Sequence, residues 1–172
     1  MSIRNGLLSD IPAIMANEQI PEYRQYIGSW TFEEHRSAME SADVEYLVTV
    51  RGDVLAGFAI VQDLQSGNRC ILLRRIAVDA PRRDLGRELL QSTMDRVFRH
   101  HGAHRLWLDV FVTNTRARRL YASLGFREEG VLRDAILRDG EFHSQVLMSL
   151  LEHEYTERQP QTAKAVTLPD AD

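Results

Sequence analysis

Residues 105–126 constrain the fold more than any other stretch, because the hydrophobic period changes within them. From Arg105 to Val112 apolar residues alternate, with Leu106, Leu108, Val110 and Val112 on one side. That is the period of a strand with one buried face. From Asn114 onward the apolar positions become Ala117, Leu120, Tyr121 and Leu124, which fall on one stripe of a helix. Asn114 suits the start of that helix as an N-cap, and Gly125 suits its end. A strand that passes directly into a one-sided helix points to mixed α/β architecture.

The rest of the chain extends this pattern. Residues 2–7 read as a short strand, and Ser9 or Asp10 caps a following helix with Pro12 in its first turn. Residues 18–30 show little regularity. Thr31 then opens a second helix, with Glu34 at the capping-box position. Residues 44–50 and 54–61 form a hairpin through Arg51-Gly52-Asp53, and residues 69–78 are the next strand. Residues 86–100 place Leu89, Leu90, Met94, Val97 and Phe98 at helical spacing, with Gly102 positioned to end the helix. Two strands over 126–137 and 142–151 turn through Arg138-Asp139-Gly140-Glu141. The expected domain spans residues 1–152. Residues 153–172 gather Pro, Gln and Asp toward their end and read as a disordered C-terminal tail.

Composition narrows the functions open to such a domain. The net charge of −4 argues against general nucleic-acid binding. No long apolar run near the N-terminus suggests a signal peptide or membrane anchor. Cys70 is the only cysteine, so no internal disulfide framework exists, and a cytoplasmic protein is expected. The six histidines show no HExxH or other compact ligand cluster, so no metal is assigned. Charge is nevertheless uneven: residues 69–119 hold twelve arginines against five acids. A basic centre in an acidic chain suits a localised anionic ligand, and it equally suits solvated helix faces.

Two units can carry chemistry. The first runs from Arg74 through Asp84 and Gly86 to Leu90, an apolar strand leading by a short loop into a helix start. The unpaired N–H groups there, with Arg82, Arg83 and Arg87, suit a pyrophosphate. A plain strand–helix connection is the competing reading, and the loop lacks GxxxxGK[ST]. The second is Asn114, Ala117, Tyr121, Gly125 and Phe126. Asn114 is also a ready N-cap and Tyr121 a ready core residue, although a buried tyrosine still needs a partner for its hydroxyl.

Together these units resemble the GNAT superfamily of N-acetyltransferases. Its second signature, N-x-x-A-x-x-x-Y-x-x-x-G-F, is complete here from Asn114 to Phe126. Its first, Q/R-x-x-G-x-G/A, is met at Gly86, with Asp84 at the first glycine and Pro81 at the Gln/Arg position. The resemblance covers roughly residues 3–152. It implies an α/β (α+β mixed) fold: a central, mostly antiparallel sheet of six to seven strands, flanked by about four helices and splayed between strands four and five.

The resemblance further implies acetyl-CoA as acyl donor, bound in that splay. Its pantetheine arm would meet the fourth strand at Ile76, Ala77 and Val78. Its pyrophosphate would meet Arg83, Asp84, Leu85, Gly86 and Arg87. Asn114 would hold the pantetheine side, and Arg116 or Arg119 would reach the 3′-phosphate. Tyr121 would protonate the departing thiolate. Many relatives carry a carboxylate where this chain has Leu72, so the candidates for general base are Glu33, Glu34, Asp109 and His143. The acceptor is a small-molecule amine or a protein N-terminus. The acids and aromatics of residues 18–36 form one expected wall of its site. A homodimer is admitted, since such folds commonly dimerise. A non-catalytic acyl-CoA-binding module is the alternative function.

Overall fold

The computed structural model describes residues 2–79 and 83–158, with side-chain detail from Asp84 onward in the second stretch. Among these residues no helix is long and apolar enough to cross a membrane. The chain runs through β1 (Ser2–Asn5), α1 (Ile11–Glu18), α2 (Pro21–Arg24), α3 (Phe32–Glu40), β2 (Val44–Arg51), β3 (Val54–Gln62), β4 (Cys70–Val78), α4 (Arg83–Asp95), β5 (Arg105–Phe111), α5 (Thr115–Ser123), β6 (Arg127–Arg138), β7 (Glu141–Leu151) and α6 (Glu152–Arg158). Seven strands form one sheet in the order β1-β2-β3-β4-β5-β7-β6. Every pairing is antiparallel except β4 with β5.

Alternation along β3 builds a core on each face of that sheet. Phe58 and Ile60 join Ile14 of α1 with Tyr46, Val48 and Ala77. Their neighbours Ala59 and Val61 join Leu89, Leu90 and Met94 of α4 and Tyr121 and Leu124 of α5. The sheet therefore separates an α1/α3 side from an α4/α5 side.

Most of the expected elements form, and the differences have local causes. Thr31 and Glu34 make the reciprocal capping box that opens α3. Asp139 and Gly140 both take positive φ, 50° and 83°, as a two-residue hairpin turn requires. The irregular stretch 18–30 contains the short helix α2, begun by Pro21. Neither Ser9 nor Asp10 caps α1 through its side chain. Asp10 instead accepts the Leu7 N–H at 2.7 Å and pairs with Arg4. The helix expected from Gly86 starts earlier, at Arg83, because Asp84 is at home in a first turn. Its last turn, Arg96–His100, widens to π geometry. The expected tail begins with the helix α6, since Tyr155 is buried against Phe98 in a stacked pair with centroids 4.6 Å apart. The remainder, 159–172, lies outside the described residues.

Gly125 shows why one signature glycine is needed. It has φ +104°, and a Cβ there would lie 2.6 Å from Nε of Arg158 on α6. Gly125→Ala combines left-handed strain with that clash and should cost about 1–2 kcal/mol, lowering Tm by roughly 3–6 °C in a thermal melt. Gly67→Ala, in open space, should leave Tm unchanged.

Candidate active site

β4 and β5 run side by side for only three residues, Cys70↔Arg105, Ile71↔Leu106 and Leu72↔Trp107. Beyond Leu72 the two strands part. β4 stays paired to β3 through Val78, but Arg74 is skipped in that ladder, which passes from Val61↔Leu73 to Ile60↔Arg75. A bulge of this kind bends a strand and re-aims its groups. On the other side, β5 stays paired to β7 through Phe111. The result is a cleft through the sheet, with unpaired backbone on the β4 side from Leu73 onward.

Ile76, Ala77 and Val78 lie on this unpaired margin of β4, half-buried to buried. Past the end of β4, residues 80–82, which include Pro81 and Arg82, lie outside the described residues. Arg83, Asp84, Leu85, Gly86 and Arg87 fall in the first turns of α4 rather than in a preceding loop. Leu85 is buried in the core, so only its backbone faces a ligand. Among the described residues a Cβ on Gly86 would meet nothing nearer than Leu120 Cδ2, at 3.9 Å. The α4 start thus has open space over Gly86 and backbone donors beneath it, which fits an anionic group. Asp84 is exposed there, in the first turn of α4. Arg87 donates to Ser123 Oγ at 2.8 Å and so ties α4 to α5 across the cleft.

The complete signature from Asn114 to Phe126 is the capping pattern of one helix. Asn114 Oδ1 accepts the Ala117 N–H at 3.2 Å, which is the N-cap role. At the other end the Phe126 N–H donates to Tyr121 O at 3.1 Å and the Gly125 N–H to Ala122 O at 3.0 Å. These are the two bonds of a Schellman motif, and the Tyr121 and Phe126 rings supply its apolar contact with centroids 5.8 Å apart. Ring packing and capping therefore account for everything in Tyr121 except its hydroxyl. That hydroxyl has no hydrogen-bond partner among the described residues, and burial pushes its pKa well above the ordinary range, with the Asp109 charge acting the same way. Arg116 and Arg119 lie exposed on α5.

The four base candidates separate clearly. Glu33 pairs with Arg36 at 2.5 Å on the exposed side of α3. Glu34 is occupied as the capping-box acceptor, and its bonds to Thr31 hold its carboxyl below the usual range. Both are carried by α3, on the α1/α3 side of the sheet. Asp109 is on the parted half of β5 and accepts from Gln145 Nε2 at 2.6 Å. His143 packs against Phe111, centroids 5.5 Å apart. Trp107, Asp109 and Phe111 alternate with the core residues Leu106, Leu108 and Val110, so they face the α1/α3 side.

Sequence reasoning missed the buried cluster behind this wall. Arg75 of β4 donates to Glu18 Oε1 of α1 at 2.6 Å, and both are buried. Glu18 Oε2 accepts the Trp30 N–H at 3.2 Å. The Arg75 guanidinium lies 4.2 Å from the Trp30 ring centroid. His35 Nδ1 and Tyr46 Oη are 2.9 Å apart beside the pair. Burial lowers the Arg75 pKa, and Glu18 partly offsets that. The available signal was the pair Arg74-Arg75 inside the apolar run Ile71–Val78, since whichever faces the core must find a counter-charge; the partner of Arg75 is 57 positions away.

The chain matches the family model described as the acetyltransferase (GNAT) family over residues 13–126, and it belongs to that family. It is 33% identical over 128 residues to the [ribosomal protein bS18]-alanine N-acetyltransferase of Escherichia coli, covering 73% of this chain and 80% of that one. It is 31% identical over 143 residues to an N-alpha-acetyltransferase of Sulfurisphaera tokodaii, covering 76% and 83%. Two solved structures share the fold. The ribosomal-protein-S18-alanine N-acetyltransferase of Escherichia coli gives a TM-score of 0.73 at 24% identity, over 98% and 99% of the two chains. The spermidine/spermine N-acetyltransferase SpeG of Vibrio cholerae gives 0.77 at 21% identity, over 92% and 96%. The protein is an N-acetyltransferase of a family whose acyl donor is acetyl-CoA.

Asp84→Asn tests the conflict at the α4 start. Removing the carboxylate takes a favourable charge from the helix N-terminus, so Tm should fall slightly. It also removes a negative charge that would repel phosphate, so the acetyl-CoA KM should drop by about threefold at low salt and by less at high salt. Steady-state kinetics at two ionic strengths read both effects.

Proposed function

We propose that this enzyme acetylates the α-amino group of a protein N-terminus, with Asp109 as proton acceptor and Tyr121 as proton donor. The observation that carries this reading is the state of the acids on the acceptor side. Glu18 is paired with buried Arg75, Glu33 is paired with Arg36, and Glu34 is occupied by its hydrogen bonds from Thr31 in the α3 cap. A polyamine carries several cations and needs a row of free carboxylates. Among the described residues the 18–36 segment offers one uncommitted acid, Glu22, beside the aromatics Tyr23, Tyr26 and Trp30.

Acceptor basicity supports the same reading. An α-amine of pKa about 7.8 is roughly one-third neutral at pH 7.5, whereas an alkyl amine near 10.4 is neutral in about one molecule per thousand. A site with one carboxylate and no strong base is suited to the first. In this mechanism the α1/α3 side receives the peptide and the α4/α5 side the acyl donor, and the cleft between β4 and β5 lets them meet. Ile76, Ala77 and Val78 hold the pantetheine arm by backbone pairing. The first turns of α4, from Arg83 to Arg87, hold the pyrophosphate, and Arg119 extends that contact. Asn114 orients the α5 start beside the arm.

Asp109, steadied by Gln145, takes the proton from the attacking amine. A backbone N–H of the parted β4 margin faces the developing oxyanion. Tyr121, kept protonated by burial, gives its proton to the leaving thiolate.

Three measurements test this. A hexapeptide beginning with alanine should be acetylated with kcat/KM at least about 100-fold above that for spermidine at pH 7.5; comparable or better turnover of spermidine sinks the reading. Tyr121→Phe should keep its Tm while kcat falls by about 100-fold or more, because the ring supplies the packing and the hydroxyl does not. Asp109→Asn should lower kcat/KM by about 100-fold at pH 7, with the deficit narrowing above pH 8 as the free amine accumulates. A deficit that stays constant with pH would remove Asp109 from the base role.

A further inference from the structure

The segment between α1 and α3 lies over the acceptor side of the cleft, and two arginines grip it from opposite directions. From the sheet, Arg75 reaches up to it. Its Nη2 is 3.0 Å from where a Cβ on Gly28 would stand, its guanidinium faces the Trp30 ring, and its partner Glu18 accepts the Trp30 N–H. From the final hairpin, Arg138 Nη1 donates to the carbonyls of Arg24 at 3.3 Å and Ile27 at 3.1 Å. Arg138 also lies 5.2 Å over the Phe111 ring, and Tyr26 meets the same ring edge-on at 5.9 Å. Gly28 sits between the two guanidinium groups, with Arg138 Nη2 3.9 Å from the Cβ position.

We propose that residues 24–30 form a fixed strap along the acceptor entrance and that Arg75 and Arg138 are its positioning residues. Together they set acceptor affinity without touching the reacting atoms. The two grips differ in kind. Arg75 is buried and its charge is balanced by Glu18, so it anchors the strap to the bulged part of β4. Arg138 is half-buried at the hairpin turn and, among the described residues, bonds to neutral carbonyls and a ring, so it locks the strap to β6. Gly28 is required because a side chain there would push against Arg75. The strap and the hairpin thereby become one wall, and an acceptor that enters between β5 and residues 24–30 meets a preformed surface with little ordering cost.

The idea rests on the acceptor reading above, and the test separates the two. Arg138→Gln breaks one grip without stranding a buried charge. Amide exchange of Tyr26 and Ile27, both of which donate to Tyr23 O, should speed up by about tenfold while the β3–β4 amides stay protected. With the alanine hexapeptide, acceptor KM should rise by about tenfold while kcat and the acetyl-CoA KM stay within about twofold. Arg138→Lys should fall between wild type and Arg138→Gln, and Gly28→Ala should raise acceptor KM in the same direction. Unchanged exchange at Tyr26 and Ile27 overturns the strap. Equal rises in acceptor and acetyl-CoA KM overturn the positioning role, since they mark a general loss of structure. If wild type leaves the hexapeptide unacetylated, the acceptor reading has failed by itself, and the exchange measurement alone decides the strap.

Discussion

β4 and β5 pair for three residues and then separate, and the rest of the molecule is arranged around that parting. A sheet that loses a ladder in its middle must recover the lost stabilisation elsewhere. Here β3 continues to support β4 and β7 continues to support β5, so both margins stay ordered while the space between them opens. The antiparallel flanks are therefore part of the site. They hold two free edges apart, which would otherwise close on each other.

The proposed mechanism draws its two proton-transfer groups from opposite faces of the sheet. Asp109 faces the α1/α3 side, while Tyr121 packs among α4/α5 residues. In an intact sheet the two would be separated by backbone. On the acceptor face, Arg75 with Glu18 and Arg138 with Phe111 turn an irregular segment into a wall. Such a buried pair is costly to desolvate and contributes little net stability. What it supplies here is position.

The parts of the site that were legible in the sequence are those governed by local rules. Asn114, Ala117, Tyr121, Gly125 and Phe126 recur at their spacing because each serves a turn of helix: an N-cap, the N–H it accepts, the two ends of the Schellman contact and the left-handed glycine. Thr31 with Glu34 and Asp139 with Gly140 were legible for the same reason. Asp10 was misjudged as the α1 cap because a distant partner, Arg4, and the preceding turn compete for its carboxylate. The partners of Glu33 and Glu34, Arg36 and Thr31, follow from spacing along α3, but whether a carboxylate is committed to such a partner shows only in the fold.

The sequence by itself determined the order of strands and helices, the domain's family and the helix that carries Tyr121, because period, caps and turns act over a few residues. Only the tertiary structure decided where the sheet parts, that Asp109 lies on the parted half of β5, and that Glu18 is bound to Arg75. Those outcomes depend on which strand lies beside which and on charges that meet across 57 positions. Burial makes such meetings compulsory, since a guanidinium inside a sheet must find a carboxylate, but the sequence does not say which one.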